Sequence, residues 1–174
     1  RMINASGPTG GELKRRSDGK TPRRIAWIQC VGSRNPRIDH PYCCSVCCMY
    51  STKEAILVKE HYEDAEVYIF YKDMRAFGKG FNEFIERGKK EYGIEYIHSD
   101  AIVEENPDNH NLFVVYDAAG RRERIEVDMV ILASALVPRK GARELANILG
   151  IEVNEFGFYE CADEITNPVQ SSVP

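Results

Sequence analysis

The sequence predicts an α/β fold: a Rossmann-like, three-layer domain with a central parallel sheet and an inserted antiparallel β-meander. Two observations support this prediction. Short apolar runs alternate with segments of helical periodicity over residues 25–98, which is typical of a βαβαβ series. Over residues 101–128 the pattern changes to short runs separated by turn residues, which is typical of an antiparallel meander.

The first half of the chain supplies the βαβαβ series. Residues 25–31 are almost continuously apolar, as a strand buried on both faces of a parallel sheet should be. Residues 45–61 carry apolar side chains at helical spacing, and residues 66–71 form the second predicted strand. A second helix over residues 81–92 and a third strand over residues 94–98 follow. Right-handed crossovers would wind these strands into a parallel sheet.

The second half of the chain supplies the meander and one further sheet strand. The meander is predicted from short runs at residues 101–105, 112–116 and 124–127, with turn signals between them. Residues 129–133 are apolar throughout and predict a buried strand that returns to the parallel sheet. A short helix over residues 142–149 follows.

Composition and charge limit the class of protein and its partners. With 174 residues, 43% of them hydrophobic, the chain can form one domain with a substantial core. Its formal net charge of -4 does not favour a general attraction to nucleic acid or to an anionic membrane. No run approaches the roughly 18 consecutive apolar residues of a membrane span. We therefore expect a cytoplasmic protein without nucleic-acid partners or direct membrane insertion.

The chain is predicted to have three segments. Residues 1–22 are polar and glycine-rich, so they should form a flexible lead segment. Residues 23–150 should form the Rossmann-like domain, with a cysteine-rich loop and helix start at 30–48 and the meander at 101–128. Residues 151–174 should form a C-terminal tail. The character of both ends favours a piece cut from a longer polypeptide.

Five of the six cysteines lie close together in sequence. They are Cys30, Cys43, Cys44, Cys47 and Cys48, and one subset of four has the spacing C-x12-C-x3-C-C. Cys43 and Cys47 would share one helix face if the first turn of the helix forms there. Four thiolates are the usual ligands of a cubane iron–sulfur cluster or of a structural zinc ion. The crowding of thiols therefore indicates a soft metal centre.

Three other interpretations stay open on the residues alone. Structural zinc binding is one, although zinc sites usually consist of two close cysteine pairs joined by a longer spacer. A thiol–disulfide oxidoreductase is another, because Cys44 and Cys47 have the C-x-x-C spacing near a helix N-terminus, where thiolates are stabilised. Structural disulfides are the third, although the length and composition supply a core without them.

The turn after the first strand lacks the glycine-rich loop that binds dinucleotide phosphates. That loop, G-x-G-x-x-G, lets a pyrophosphate approach a helix N-terminus. The corresponding turn here, residues 30–35, reads CVGSRN and leads to the cysteines. We therefore do not expect a nicotinamide nucleotide at this turn, and thiols in its place favour a cluster.

Four motifs spread over the chain resemble a known family. They are IQCVGSR at residues 28–34, YC at 42–43, CCMY at 47–50 and DMRAFGKGF at 73–81. In these motifs the chain resembles the A subunit of heterodisulfide reductase. Members of that family are flavoproteins with a thioredoxin-reductase-like core and several [4Fe-4S] clusters. They serve in electron bifurcation or transfer beside the subunits that reduce the disulfide.

This resemblance implies an electron-transfer domain of a flavin and iron–sulfur oxidoreductase, binding one [4Fe-4S] cluster. The ligands would be Cys30, Cys43, Cys47 and Cys48, in the domain equivalent to the pyridine-nucleotide domain of flavoprotein reductases. Cys44 would be a spare thiol. The implied partners are other heterodisulfide reductase or hydrogenase-type redox subunits, and the domain alone is not expected to be catalytically complete.

The resemblance also implies FAD in the full-length subunit, although this piece is not expected to hold it. Residues 132–138 resemble the strand end that faces the flavin in such reductases. Ser134, Ala135 and Pro138 would then form part of the flavin wall. The tail over residues 151–174 would lead toward the missing flavin domain of the same chain.

Overall fold

The computed structural model describes residues 2–173, and every strand and α-helix predicted from the sequence is present. The strands are β1 (Arg24–Val31), β2 (Glu66–Tyr71), β3 (Glu95–His98), β4 (Ala101–Glu105), β5 (Leu112–Ala118), β6 (Arg121–Val127) and β7 (Met129–Ser134). The helices are α1 (Cys47–His61), α2 (Phe81–Lys90) and α3 (Ala142–Leu149). None of the helices within residues 2–173 combines the length and apolar character that crossing a bilayer requires.

The chain divides into two compact units. The first, the sheet unit, comprises residues 2–31 and 44–134. The second, the loop unit, comprises residues 32–43 and 135–173. All seven strands named above and helices α1 and α2 belong to the sheet unit, whereas α3 belongs to the loop unit.

The sheet unit is built on a four-stranded parallel sheet in the order β3-β2-β1-β7. Strands β4, β5 and β6 form a separate three-stranded antiparallel sheet, which is the predicted meander. Because the strands of the parallel sheet run in one direction, their carboxyl ends meet at one edge. This arrangement confirms the predicted α/β, Rossmann-like fold.

Alternate residues of β1 explain why the sheet unit has three layers. Ile25 and Trp27, both 0% exposed, share one core with Ala55 of α1. Ala26 points to the opposite face and shares a second core with Val114 of the meander. Successive side chains of a strand point to opposite faces, so an apolar run such as β1 is buried between a helical layer and the meander.

Strand β1 is irregular near its carboxyl end. Its register with β7 shifts between Ile28 and Val31, and Cys30 has a φ of 58°. Such a φ is uncommon for a residue other than glycine. A bulge of this kind turns a side chain away from the regular direction of the strand. The irregularity therefore sets the direction of the Cys30 side chain.

Aromatic contacts organise the loop unit. The Tyr42 ring centroid lies 4.9 Å from that of Phe156 and 5.4 Å from that of Phe158. The Tyr42 hydroxyl donates a hydrogen bond to the Leu136 carbonyl at 3.2 Å. These contacts join the segment after β1 to the segment that follows β7 within this unit.

Candidate cysteine-rich metal centre

Four thiols form one buried group in the sheet unit. The exposed fractions of the residues are 8% for Cys30, 7% for Cys44, 1% for Cys47 and 4% for Cys48. Ala133 of β7 completes this buried group, and the half-buried side chains of Tyr50 and Met74 pack against it. We call Cys30, Cys44, Cys47 and Cys48 the thiol group. It lies where β1 ends and α1 begins.

The start of α1 gives the thiol group a favourable electrostatic setting. The helix begins at Cys47, and its N-cap residue Val46 makes no side-chain capping hydrogen bond. Backbone N–H groups at a helix start carry a partial positive charge, which stabilises thiolates and other anions nearby. Cys47 and Cys48 therefore occupy the end of the helix that suits a negatively charged centre.

The Cys47 thiol is held in its protonated form by its surroundings. A hydrogen bond with Cys30 lowers the pKa of Cys47, but hydrogen bonds with Cys48 and Cys44 and burial together outweigh it and raise the pKa to about 12. A thiol in this state is a poor nucleophile at neutral pH. Cys47 thus hydrogen-bonds with each of the other three thiols of the thiol group.

The loop after β2 covers the Cys48 sulfur. The backbone N–H of Arg75 donates to Cys48 Sγ at 3.4 Å. The Cys48 thiol in turn faces the carbonyl of Asp73 at 4.0 Å and the side-chain oxygen of Gln29 at 3.5 Å. The DMRAFGKGF motif, residues 73–81, makes up most of this loop. The motif thus supplies backbone groups to the thiol group rather than ligands.

Sequence reasoning missed Gln29 as a residue of the site. Its side chain is 5% exposed, and its Nε2 has no hydrogen-bond partner in the part of the chain that the structure describes. A polar amide in an otherwise apolar strand, directly before Cys30, was the signal that could have identified it.

Cys43 and Cys44 are neighbours in sequence, but the structure places them in different units. Cys43 is half-buried and belongs to the loop unit, whereas Cys44 belongs to the thiol group. The expectation that Cys43 and Cys47 share a helix face required the first helical turn to form at Cys43. Since α1 begins at Cys47, Cys43 precedes the helix and this condition is not met. Cys161 is half-buried in the loop unit.

The chemistry of the thiol group fits a soft metal or an iron–sulfur cluster. Thiolates are the preferred ligands of both. In the described residues, however, no three Cys, His, Asp or Glu side chains are placed as a preformed metal site. Ligation would also require these thiols to lose their protons.

The predicted flavin-wall residues lie at the end of β7 and beyond it. Ser134 is the last residue of β7, and its carbonyl accepts a hydrogen bond from the Tyr50 hydroxyl at 3.5 Å. Ala135 and Pro138 belong to the loop unit. Their role in a flavin site stays a prediction.

A small cleft lies beside Cys30 at the carboxyl ends of the parallel strands. Its volume is about 170 Å³, and its lining includes Gln29, Tyr71, Lys72 and Asp100. Ligand pockets usually measure about 300–1,000 Å³. The cleft is therefore smaller than a usual ligand pocket, and the absence of a nicotinamide nucleotide at this turn stays a prediction.

The fold and the buried thiols together define a class of protein: a thioredoxin-reductase-like, Rossmann-type domain that carries a cysteine site at the carboxyl edge of its sheet. Among solved structures, the thioredoxin reductase of T. acidophilum matches with a TM-score of 0.50 and 18% identity, covering 87% of this chain and 41% of that chain. At this identity the match shows the fold alone. No protein-family model matches the chain.

Curated relatives match this chain over nearly its whole length. The second iron-sulfur A subunit of CoB–CoM heterodisulfide reductase from Methanopyrus kandleri is 45% identical over 176 residues, and its counterpart from Methanocaldococcus jannaschii is 43% identical. Each match covers 99% of this chain and 27% of the relative. Over nearly its whole length the chain is similar to part of the A subunit of heterodisulfide reductases, which confirms the resemblance seen in its motifs. It spans about a quarter of the length of these relatives.

Proposed function

We propose that this chain is an electron-transfer domain of an oxidoreductase like the A subunit of heterodisulfide reductase, and that its cysteines bind one [4Fe-4S] cluster. The observation that carries the proposal is the burial of four neighbouring thiols at the carboxyl edge of the sheet. Relatives covering the whole of this region are named iron-sulfur subunits. Burial of thiols that serve as ligands keeps water away from a redox centre, which is one determinant of its potential.

Each part of the site has a definite task in this proposal. Cys30, Cys47 and Cys48 hold the iron as thiolates, while the start of α1 and the Arg75 N–H offset the negative charge that accumulates there. When bound, the cluster supplies one-electron transfer without a proton donor or acceptor. The domain therefore needs no general acid, general base or substrate pocket.

Two assignments of the fourth ligand are possible. The family resemblance implies Cys43, and we propose Cys43 on that ground. The burial of Cys44 among the other thiols favours Cys44 instead. The two assignments predict opposite results for single substitutions at the two positions.

A reconstitution series tests the cluster and its ligands. Each of the five neighbouring cysteines is replaced singly by serine, and Cys161→Ser serves as the control. After anaerobic reconstitution, the wild type and Cys161→Ser should hold about four irons per chain. Cys30→Ser, Cys47→Ser and Cys48→Ser should lose most of that iron, as should Cys43→Ser but not Cys44→Ser.

The same series separates the alternatives. If Cys44→Ser loses its iron while Cys43→Ser keeps it, the fourth ligand is Cys44 rather than Cys43. A second function, thiol–disulfide exchange by Cys44 and Cys47, is suggested by the contact between these two thiols. It predicts no iron and a redox-dependent change of two titratable thiols. Bound zinc without iron would instead indicate a structural or docking module.

The role of the full-length protein is also a proposal. We infer that the complete polypeptide binds FAD, with Ser134, Ala135 and Pro138 forming part of the flavin wall, and passes electrons between flavin and cluster. Its partners would be other heterodisulfide reductase or hydrogenase-type redox subunits. Relatives named as H(2)-dependent heterodisulfide and ferredoxin reductases support this choice of partner.

A further inference from the structure

The side-chain amide of Gln29 faces the thiol group, and only its oxygen has a hydrogen-bond partner in the described residues. The Cys48 thiol donates to Gln29 Oε1 at 3.5 Å, and Gln29 Nε2 is buried without a partner in the described residues. Buried polar atoms are nearly always paired. An unpaired N–H beside a candidate ligand sulfur therefore points to a bond that forms in another state of the site.

That other state is the one in which Cys48 has lost its proton. A metal-bound Cys48 thiolate cannot donate to Gln29 Oε1, because the sulfur is then an acceptor. A half-turn of the Gln29 carboxamide about its last bond exchanges the oxygen and nitrogen positions. This rotation brings Nε2–H to Cys48 Sγ, which already accepts from the Arg75 N–H at 3.4 Å. The rotation pairs the N–H with the sulfur and moves Oε1 to the buried position that Nε2 now occupies.

We propose that Gln29 is a positioning residue that raises the reduction potential of the cluster by donating an N–H hydrogen bond to Cys48 Sγ. The inference rests on the proposed function. Reduction adds one electron and therefore one negative charge, and an N–H donor at a ligand sulfur stabilises the more negative, reduced state. The Arg75 N–H acts in the same direction but belongs to the backbone, so Gln29 is the group that substitution can remove.

The first test compares midpoint potentials of reconstituted proteins in an EPR-monitored titration with dithionite as the electron donor. Gln29→Met removes the N–H while keeping the length of the side chain. At a fixed solution potential the ratio of reduced to oxidised cluster should fall about tenfold, which is about 59 mV for one electron. Iron content should stay at the wild-type level.

The matched control is Thr52→Val. Thr52 is also a fully buried polar residue of the sheet unit, but its hydroxyl pairs with the Tyr96 hydroxyl at 2.9 Å rather than with a thiol. The midpoint potential of the cluster in Thr52→Val should equal that of the wild type. A potential of Gln29→Met equal to the wild-type value, at equal iron content, would overturn the proposal.

A second measurement uses the wild-type protein and does not depend on the folding of any variant. The chain contains two glutamines, Gln29 and the exposed Gln170. With ¹⁵N in the glutamine side chains, ENDOR of the reduced cluster should show a nitrogen coupling that persists in Gln170→Ala. Absence of this coupling in a fully loaded wild type would contradict the role of Gln29. Absence of iron in the reconstituted wild type would instead contradict the proposed function, the binding of a [4Fe-4S] cluster.

Discussion

The Cys47 thiol illustrates how neighbouring thiols set one another's state. Its contacts with Cys48 and Cys44 and its burial raise its pKa to about 12, despite the opposing hydrogen bond with Cys30. Because the protonated form is favoured, the thiolate fraction of Cys47 is very small near neutral pH and grows only as the pH rises toward 12. If Cys47 is a ligand, as proposed, metal binding would release its proton.

This protonation state predicts slow alkylation of Cys47 in the reduced, metal-free protein. Iodoacetamide near neutral pH should modify Cys47 at least about tenfold more slowly than the half-buried Cys161, since the thiolate is the nucleophile. Peptide mapping by mass spectrometry measures both rates in one sample, with the unfolded protein as the control. The Cys47 rate should keep rising through alkaline pH, and equal rates for the two residues near neutral pH would contradict the assignment.

The sequence located the thiols but not their individual surroundings. Cysteine crowding and the apolar run before Cys30 predicted thiols gathered at a strand-to-helix junction, and the structure confirms this gathering for Cys30, Cys47 and Cys48. That these thiols bind a metal stays a prediction. The left-handed backbone of Cys30 and the burial of Cys44 were not predictable, because a bulge and a loop are fixed by tertiary packing. Gln29 was visible as a polar residue in an apolar strand, yet its partner is distant in sequence.

At the scale of elements, hydrophobic periodicity predicted nearly all of the fold. The run of β1 is apolar because both faces of the parallel sheet are covered there, and this signal is strong. Strand β7 lies at the edge of the sheet and its Leu132 is 54% exposed, so the prediction that residues 129–133 form a fully buried strand is wrong. Element ends were less predictable: α1 begins at Cys47 without a side-chain cap, and β6 begins at Arg121, within a charged run that carries no strand signal.

The packing of α2 against its neighbours gives a prediction about Gly88. A Cβ at this helical glycine would lie 2.9 Å from Tyr96 Oη and 3.4 Å from Thr52 Cγ2. Replacing an exposed helical glycine by alanine gains up to about 1 kcal/mol. Overpacking a core typically costs about 1–3 kcal/mol, so Gly88→Ala should lower the free energy of unfolding by about 1 kcal/mol net.

Denaturant unfolding of the metal-free protein measures this change. The exposed residue Asn82 lies in the same helix, and Asn82→Ala should change the free energy of unfolding by no more than about 0.5 kcal/mol. A Gly88→Ala variant more stable than the wild type would show that Tyr96 and Thr52 can move apart without cost.

At the scale of the whole molecule, the parallel sheet lies between a helical layer and the meander, and the turn after β1 lacks the glycine-rich loop of dinucleotide-binding domains. In nucleotide-binding relatives of this fold class, the turn after the first strand approaches a pyrophosphate. Here the same edge of the sheet carries the thiol group. Under the proposed function, this edge would hold an electron carrier where the fold class usually holds a hydride donor.

The chain spans only 27% of the length of these curated relatives, so their activity, substrates and partners come to it only as proposals. The burial of the thiols is the observation on which the proposed chemistry rests. Whether the site holds iron and sulfide is a property of this chain that can be measured directly.

The measurement that tests this account most directly is the content of iron and acid-labile sulfide per chain, with EPR of the reduced protein, after anaerobic purification and reconstitution. The account predicts about four irons, about four sulfides and the EPR signal of a single reduced cluster. Protein that contains neither iron nor sulfide under these conditions, and instead binds stoichiometric zinc or forms a reversible disulfide between Cys44 and Cys47, would contradict it.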